Sequence, residues 1–460
     1  MRAAEPVVGS EGHATPAIRR VTTGDLFNFW AEGPTSPMQI ALAGIFQAPE
    51  WLDEEGRVRL SCVAEQIDRR TRRAGLLRRR IRWTHFGEGR PVWVDDADFA
   101  ITRHVETEHI DSLRPEKLWD WAAQQAIRPL DRRQPLWRLV LVSGLPGGEV
   151  GMVFVIHHVA VDGVAGVSVL SALLDAGPDE DIATEWEPQP IPKAGQLVWE
   201  NLTTKLRAVP PALRALPHLL VLIGALRGTL AAVREEAPTT SLAGRIGHQR
   251  HAAVVSVPLD QIHRAAHAKT ATVNDLVLSA TTTGLREWLA GRNELDPGMA
   301  LRASMPIAVS GRQQNAGRMV VISLPVGDAD PRRRLAAITA TTAALKSSHA
   351  DVAHSDITGS PLFPVSLMRL GIPWLARRGG LKVNCFVTNV RGPGLPLYLA
   401  GAPFELAAGL SPLVAGVRLG VTVFSYAGVL TITLLGDGQL PDWPALVSAT
   451  RRAVAELVRT

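Results

Sequence analysis

Cysteine is nearly missing from this chain of 460 residues, which has only Cys62 and Cys385. So few thiols argue against a disulfide framework and fit a reducing, cytoplasmic setting. Neither cysteine sits in a metal-ligand spacing, and two adjacent histidines, His157 and His158, point apart and suit a shared metal poorly. No bound metal is expected. Lysine is also scarce: six of the 49 basic residues are lysine and the rest arginine, a bias that fits a GC-rich genome. Long apolar runs are missing too. The uncharged stretch Ala215 to Leu226 is about twelve residues, against roughly twenty for a membrane span. Met1 to Arg20 has no apolar centre, so it reads as a flexible lead-in and not a secretory signal. There is no Gly-x-Ser-x-Gly elbow, no phosphate-binding glycine loop, no nucleic-acid-binding module and no short repeat.

What is present describes a folded protein: 46% hydrophobic and 20% charged residues. The length exceeds a typical single core and predicts two domains. A net charge of +5 is compatible with anionic lipid, nucleic acid or coenzyme phosphates, and does not choose among them.

The pattern along the chain is mixed α/β. A short helix is predicted over Val21 to Trp30, a strand over Gln39 to Phe46 and an amphipathic helix over Cys62 to Arg82. Strand and turn material follows from Trp83 to Phe99, then a helix over Leu118 to Ile127. Two strands flank the turn Gly144-Leu145-Pro146-Gly147-Gly148 and form a hairpin. An acidic, proline-rich stretch from Asp175 to Pro192 marks a linker, followed by a proline-interrupted helical stretch from Ala194 to Glu236. A second α/β unit starts near Ala252. It has strands at Val254 to Val257, Met319 to Leu324, Val383 to Val390, Leu419 to Ser425 and Val429 to Leu435. Helices are expected over Thr272 to Leu289 and Pro441 to Val458. The partition is therefore a lead-in at 1–20, a first domain at 21–175, a helical connection at 176–250 and a second domain at 251–460.

The most informative stretch is His157-His158-Val159-Ala160-Val161-Asp162-Gly163, which follows the apolar strand Met152 to Ile156. An imidazole delivered at the mouth of a rigid strand is a suitable general base, since its pKa of about 6.5 lies near working pH. Asp162 is placed to fold back and fix the loop, and Gly163 admits a tight turn. The plainer alternative is a pair of ordinary histidines before a turn.

Around this motif lie further landmarks in order. They are Pro37-Met38, Arg90-Pro91-Val92-Trp93-Val94 with Phe99 and His104-Val105, Pro135-Leu136-Trp137, Thr272-Val273-Asn274-Asp275, Asn389-Val390-Arg391-Gly392-Pro393 and Ser425-Tyr426-Ala427-Gly428. Together they resemble the bacterial wax ester synthase/acyl-CoA:diacylglycerol acyltransferase family over nearly the whole chain. The resemblance implies an α/β fold of two chloramphenicol-acetyltransferase-like domains with the active-site tunnel between them. It also implies an acyl-CoA-dependent O-acyltransferase.

By that resemblance His158 is the base that deprotonates the acceptor hydroxyl directly, and His157 packs and orients. Asp162 sits where it could hold the loop by pairing with an arginine or accepting backbone N–H groups, with an orienting bond to His158 as the alternative, and Gly163 would leave room for the thioester. Asn274 can donate a hydrogen bond into the tunnel, although Asn274 or Asp275 also suits a helix N-cap. Pro135, Leu136 and Trp137 suit an acyl channel, although a buried Trp beside a strand is more often core, while Thr388 and Asn389 end a strand on the other half and are candidates to face the site. Three residues depart from the family pattern: Gln39, Arg318 and Arg391. They bear on the acceptor more than on the reaction.

The expected product is triacylglycerol from diacylglycerol. The alternatives are wax esters from long-chain alcohols, or a condensation-type transfer to a specialised alcohol or amine. No cofactor is expected beyond acyl-CoA as co-substrate, and no nucleic acid as partner. Two features allow peripheral contact with the inner membrane face or lipid droplets. One is the run Ala215 to Leu226, otherwise core packing, and the other is the arginine cluster from Arg69 to Arg82, otherwise a solvated helix face.

Overall fold

A computed structural model describes residues 18–161, 163–177, 186–215, 236–308, 317–347, 369, 382–414 and 416–459. In chain order the first part gives α1 (Thr23–Ala31), β1 (Gln39–Gln47), α2 (Leu60–Arg73), β2 (Val105–His109), α3 (Pro115–Ile127), β3 (Trp137–Ser143), β4 (Glu149–His157) and α4 (Gly163–Leu173). The connection carries α5 (Ala194–Ala215). The second part gives β5 (Arg250–Pro258), α6 (Leu259–Ala268), α7 (Val273–Gly291), β6 (Leu301–Ala308), β7 (Gly317–Leu324) and α8 (Pro331–Ser347). It continues with β8 (Cys385–Arg391), β9 (Leu397–Leu399), β10 (Ala402–Leu410), β11 (Leu419–Tyr426), β12 (Val429–Asp437) and α9 (Trp443–Val458).

Two six-stranded mixed sheets organise these elements. The first runs β9-β10-β1-β4-β3-β2 and the second β7-β6-β8-β11-β12-β5. Every residue of β3 is buried, as is nearly all of β4, because both faces of the first sheet are covered. One face packs Met152, Phe154 and Ile156 with α2 and α4, and the other packs Val153 and Val155 with Ala122, Ala123 and Ala126 of α3. The second sheet has its own core, in which Leu276, Leu278, Leu285 and Trp288 of α7 meet Val421, Val423, Ile432 and Leu434.

The partition read from sequence is corrected at one place. Residues 397–410 fall in the second domain by chain position, yet they complete the first sheet, β10 pairing with β1 and β9 with β10. Gly44 makes that crossing feasible, since a Cβ there would stand 2.2 Å from the Phe404 ring and the Leu406 carbonyl.

The amphipathic helix expected over Cys62 to Arg82 ends at Arg73; a short 3₁₀ turn, Gly75–Arg78, and a strand, Arg79–Arg82, replace its second half. The arginines there are fixed by carboxylates. Arg70 forms a buried pair with Asp175, while Arg78 meets Asp68 at 2.6 Å, Arg79 meets Asp95 at 3.0 Å and Arg80 meets Asp96 at 3.5 Å. Much of the cluster is therefore structural and not a single solvated helix face, while Arg69 and Arg72 stay exposed. Of the expected stretch Ala194 to Glu236, the helix to Ala215 is observed; 216–235, with nearly all of the apolar run, lies outside the described residues.

Candidate active site

The histidine pair closes β4. His157 is its last residue, and its ring is 2% exposed, stacked on Phe29 of α1 with centroids 4.4 Å apart. Its Nδ1 accepts the Val159 N–H at 3.0 Å, which places the ring hydrogen on Nε2, and Nε2 donates to Glu32 Oε1 at 2.6 Å. The ring is thus clamped on both edges and one face. That geometry suits the packing and orienting role expected of His157.

His158 starts the turn that leads toward α4 and is half-buried. Its backbone N–H donates to the Met38 carbonyl at 2.8 Å, and the Ala160 N–H donates to the His157 carbonyl at 2.9 Å, so the backbone is fixed where the side chain departs. Asp162 lies outside the described residues, and Gly163 is the first residue of α4.

Sequence reasoning missed Glu32. It is the C-cap of α1 and, besides His157, its carboxylate accepts the Met38 N–H at 3.1 Å and pairs with Arg132. Burial alone would raise the Glu32 pKa, but the His157 hydrogen bond, the Arg132 charge and the Met38 N–H outweigh it and hold the carboxyl below its ordinary value. The available signal is a lone acidic residue six positions before Met38, with nothing to connect it to a histidine 125 residues away.

The second half contributes the start of α7. Its N-cap is Thr272, and Thr272 with Asp275 forms a reciprocal capping box, so the cap is neither Asn274 nor Asp275. Asp275 is buried and also accepts from Thr342 at 2.7 Å. Asn274 is left half-buried at the second helical position, where its Oδ1 accepts from Asn389 Nδ2 at 3.4 Å. The structure therefore brings together two residues singled out 115 positions apart. Thr388 is half-buried on β8 opposite Thr422, and α4 packs against this strand, so the histidine turn and the amide pair flank one junction.

Three other expected residues are core. Trp137 is 2% exposed; its Nε1 donates to the Leu77 carbonyl at 2.7 Å and its ring stacks on His104 at 4.5 Å. Leu136 packs with Leu26, Phe29 and Val159 under the histidine turn, and Pro135 is buried beside it. They support the turn from below, which is the core alternative and not an open channel wall. Gln39, the departure opposite His157 in register, is buried with its Nε2 donating to the Ala126 and Arg128 carbonyls at 2.7 and 3.0 Å. It caps α3.

The last two landmarks join each other. Gly392 N–H donates to the Ser425 carbonyl at 2.9 Å, and a Cβ on Gly392 would meet that carbonyl and the Phe424 ring at 2.5 Å. The Tyr426 hydroxyl donates to the Phe404 carbonyl at 2.9 Å and accepts the Leu397 N–H at 2.7 Å. They anchor the chain as it crosses between sheets.

Comparison with known proteins follows the same outline. Residues 21–277 match the wax ester synthase/diacylglycerol acyltransferase catalytic domain, and residues 313–458 match the C-terminal domain of that family. A Mycobacterium tuberculosis protein named as a diacylglycerol O-acyltransferase is 26% identical over 96% of this chain and 90% of its own. A Mycobacterium bovis protein of the same name is 27% identical over 87% of each chain. Among solved structures, the wax ester synthase/diacylglycerol acyltransferase from Marinobacter aquaeolei VT8 aligns with a TM-score of 0.67 at 22% identity, covering 95% of this chain and 98% of that one. The first condensation domain of the CDA synthetase aligns at 0.57 and 15% identity, covering 97% and 96%. Both share the two-domain, chloramphenicol-acetyltransferase-like fold.

Proposed function

We propose that this chain, which belongs to the wax ester synthase/diacylglycerol acyltransferase family and is an acyl-CoA-dependent O-acyltransferase, transfers its acyl group to the free hydroxyl of diacylglycerol. The observation that carries the mechanism is the contrast within the histidine pair. His157 is buried with both ring nitrogens engaged, and the next residue, His158, is half-buried on a backbone fixed at the strand end. In this reading His158 takes the hydroxyl proton as the acceptor oxygen attacks the thioester carbonyl carbon. Collapse of the tetrahedral species expels the coenzyme thiolate, which takes the proton back from His158. Asn274 receives an amide hydrogen on Oδ1, which leaves its Nδ2 as the donor end for the developing oxyanion. Acyl-CoA serves as co-substrate, and no resident cofactor is required. The names of the mycobacterial relatives favour diacylglycerol over a long-chain alcohol.

The test is release of free thiol from palmitoyl-CoA by the purified protein with diacylglycerol, hexadecanol or an amine. The reading requires turnover with diacylglycerol that is lost in His158→Ala. Turnover with hexadecanol alone would make the product a wax ester. Transfer only from a carrier-protein thioester would move the protein to condensation-type chemistry.

Peripheral contact with a lipid surface is supported by a different region from those expected. Trp83 and Phe86 are exposed beside α5, whose Val198, Trp199, Leu202 and Leu206 face outward. Phe86 is fully exposed, and Asn201 Nδ2 bonds the Gly87 carbonyl at 2.9 Å, which joins loop and helix into one surface. Glu200, the carboxylate of α5, is taken by Arg20 at 2.7 Å, while Lys205 and Arg207 are exposed. An apolar face with a cationic border suits an anionic bilayer. Flotation with anionic liposomes should weaken in Phe86→Ser with Trp199→Ser; equal flotation of that variant would place the contact elsewhere.

A further inference from the structure

We infer that Glu32 is the positioning residue of this active site, acting on both histidines through one carboxylate; the inference rests on the reading of His158 as the base. Four hydrogen bonds form the path. Glu32 Oε1 accepts from His157 Nε2 at 2.6 Å and from the Met38 N–H at 3.1 Å. The Met38 carbonyl accepts the His158 N–H at 2.8 Å, and His157 Nδ1 accepts the Val159 N–H at 3.0 Å. Residues 157, 158 and 159 are thus each held by a bond on a circuit that passes through the carboxylate or the ring it fixes.

The rest of the circuit is built to keep that oxygen in place. Glu32 terminates α1, whose Phe29 ring stacks on the His157 ring and has the Arg132 guanidinium 5.0 Å from its centroid. Arg132 also pairs with the second carboxylate oxygen, so the charge facing the imidazole edge is balanced. The side chains of His157 and Glu32 are 3% and 12% exposed, so water competes little for the bond. The half-circuit from Glu32 to Met38 closes a loop whose middle is tied to the second half, because Arg250 of β5 donates to the Thr35 carbonyl. In this inference the carboxylate acts through the histidine pair and not on the substrate. It sets where His158 stands.

Positioning predicts a loss in the chemical step and not in substrate capture, because a displacement of about 1 Å costs on the order of 10²-fold in rate. The experiment compares Glu32→Ala, Glu32→Gln and Glu32→Asp with His158→Ala in the full-length protein. It uses palmitoyl-CoA and diacylglycerol, with thermal melts run beside the kinetics. Glu32→Ala should lose on the order of 10²-fold in kcat with KM for palmitoyl-CoA within about twofold. Glu32→Gln keeps an acceptor oxygen for the His157 and Met38 hydrogens and should recover about tenfold over alanine. The acid limb of the pH–rate profile, set by His158, should persist in Glu32→Gln.

Wild-type kcat in a folded Glu32→Ala, equal rates for the alanine and glutamine variants, or a raised KM at unchanged kcat would each overturn the inference. If Glu32→Ala does not fold, Glu32→Asp decides. Its carboxylate is withdrawn by one methylene, and kcat must then fall at unchanged KM. Should His158→Ala itself keep wild-type turnover, the base assignment fails, whatever the Glu32 variants do.

Discussion

The turn after β4 and the start of α7 flank the same junction, and they are held by opposite strategies. The α7 terminus is capped locally: Thr272 and Asp275, three residues apart, satisfy each other's backbone donors, and Thr342 and Asn389 then add bonds from afar to Asp275 and Asn274. The histidine turn is fixed remotely, by Glu32 and Met38, which reach it across 125 and 120 residues of sequence, while Arg132 holds Glu32 across 100. A helix terminus needs its first N–H groups satisfied wherever it lies, so local sequence suffices. A turn that carries a base must hold one side chain in one direction. That takes groups from several elements.

The sharpest way to break the comparison is at the histidines. His158→Ala should lower kcat by about 10² to 10⁴, the range a general base contributes, with a melting temperature near wild type because the side chain is only half-buried. His157→Ala should lose less activity and more stability, since it empties a buried site stacked on Phe29 and leaves Glu32 and the Val159 N–H without their ring partner. Steady-state kinetics with melts on both variants decides it. A dead His157 variant beside an active His158 variant would exchange the two roles.

The remote strategy extends to the seam between halves, where Arg250 and Asp437 are fully buried and paired at 3.1 Å. Arg250 also donates to the Thr35 carbonyl in the loop between Glu32 and Met38. Arg250→Ala should cost about 3–5 kcal/mol, because it strands a buried carboxylate. Arg250→Met with Asp437→Leu should recover much of that loss, since the uncompensated charge is what destabilises. Urea unfolding midpoints measure both, and a double variant no more stable than Arg250→Ala would show that the Thr35 bond, not the charge, matters.

The same distinction explains what the sequence disclosed. Strands with continuous apolar runs, β3, β4, β11 and β12, and the helices α3, α7 and α9 were legible to within a few residues, because burial on both faces leaves one reading. β9 and β10 were not anticipated: Ala402–Leu410 is rich in Ala and Gly, and its strand identity comes from pairing with β1, some 360 residues earlier. The helix expected through Arg82 failed because Arg79–Arg82 pairs with the strand Val92–Asp95 and sends its guanidinium groups to Asp95 and Asp96. At the junction, the histidine turn and Asn274 stand out by motif, whereas the sequence leaves Trp137 open between channel and core, and its burial and stack on His104 place it in the core. Glu32 carries no local pattern at all.

The α7 terminus offers a smaller, two-sided test. Thr272→Ala removes the cap and should cost about 1 kcal/mol, within 0.5–2, while kcat stays within about threefold. Asn274→Ala, one turn position away, should do the reverse: a melting temperature close to wild type and a kcat lowered by about tenfold or more, on the scale of losing one oxyanion donor. Both variants behaving alike would mean that Asn274 serves the helix and not the chemistry.

The smallest expected effect lies in the pH dependence of the clamp itself. Glu32 has a pKa below its ordinary value of 4.5 in the folded protein, with His157, Arg132 and the Met38 N–H overcoming the burial that opposes it. A carboxylate depressed on folding contributes stability above its unfolded pKa, and that contribution fades as pH falls through the folded value. The difference in unfolding free energy between wild type and Glu32→Gln should therefore be constant from neutral pH down to about 5 and narrow below about 4.5. Arg132 stays charged throughout, so the narrowing reports the carboxylate and the His157 ring bonded to it, and the comparison ends before global acid unfolding. Urea titrations at half-unit pH steps read it directly. A difference that stays level, or widens toward low pH, would show that the neutral side chain is held as well as the charged one, and that the clamp works by shape without help from charge.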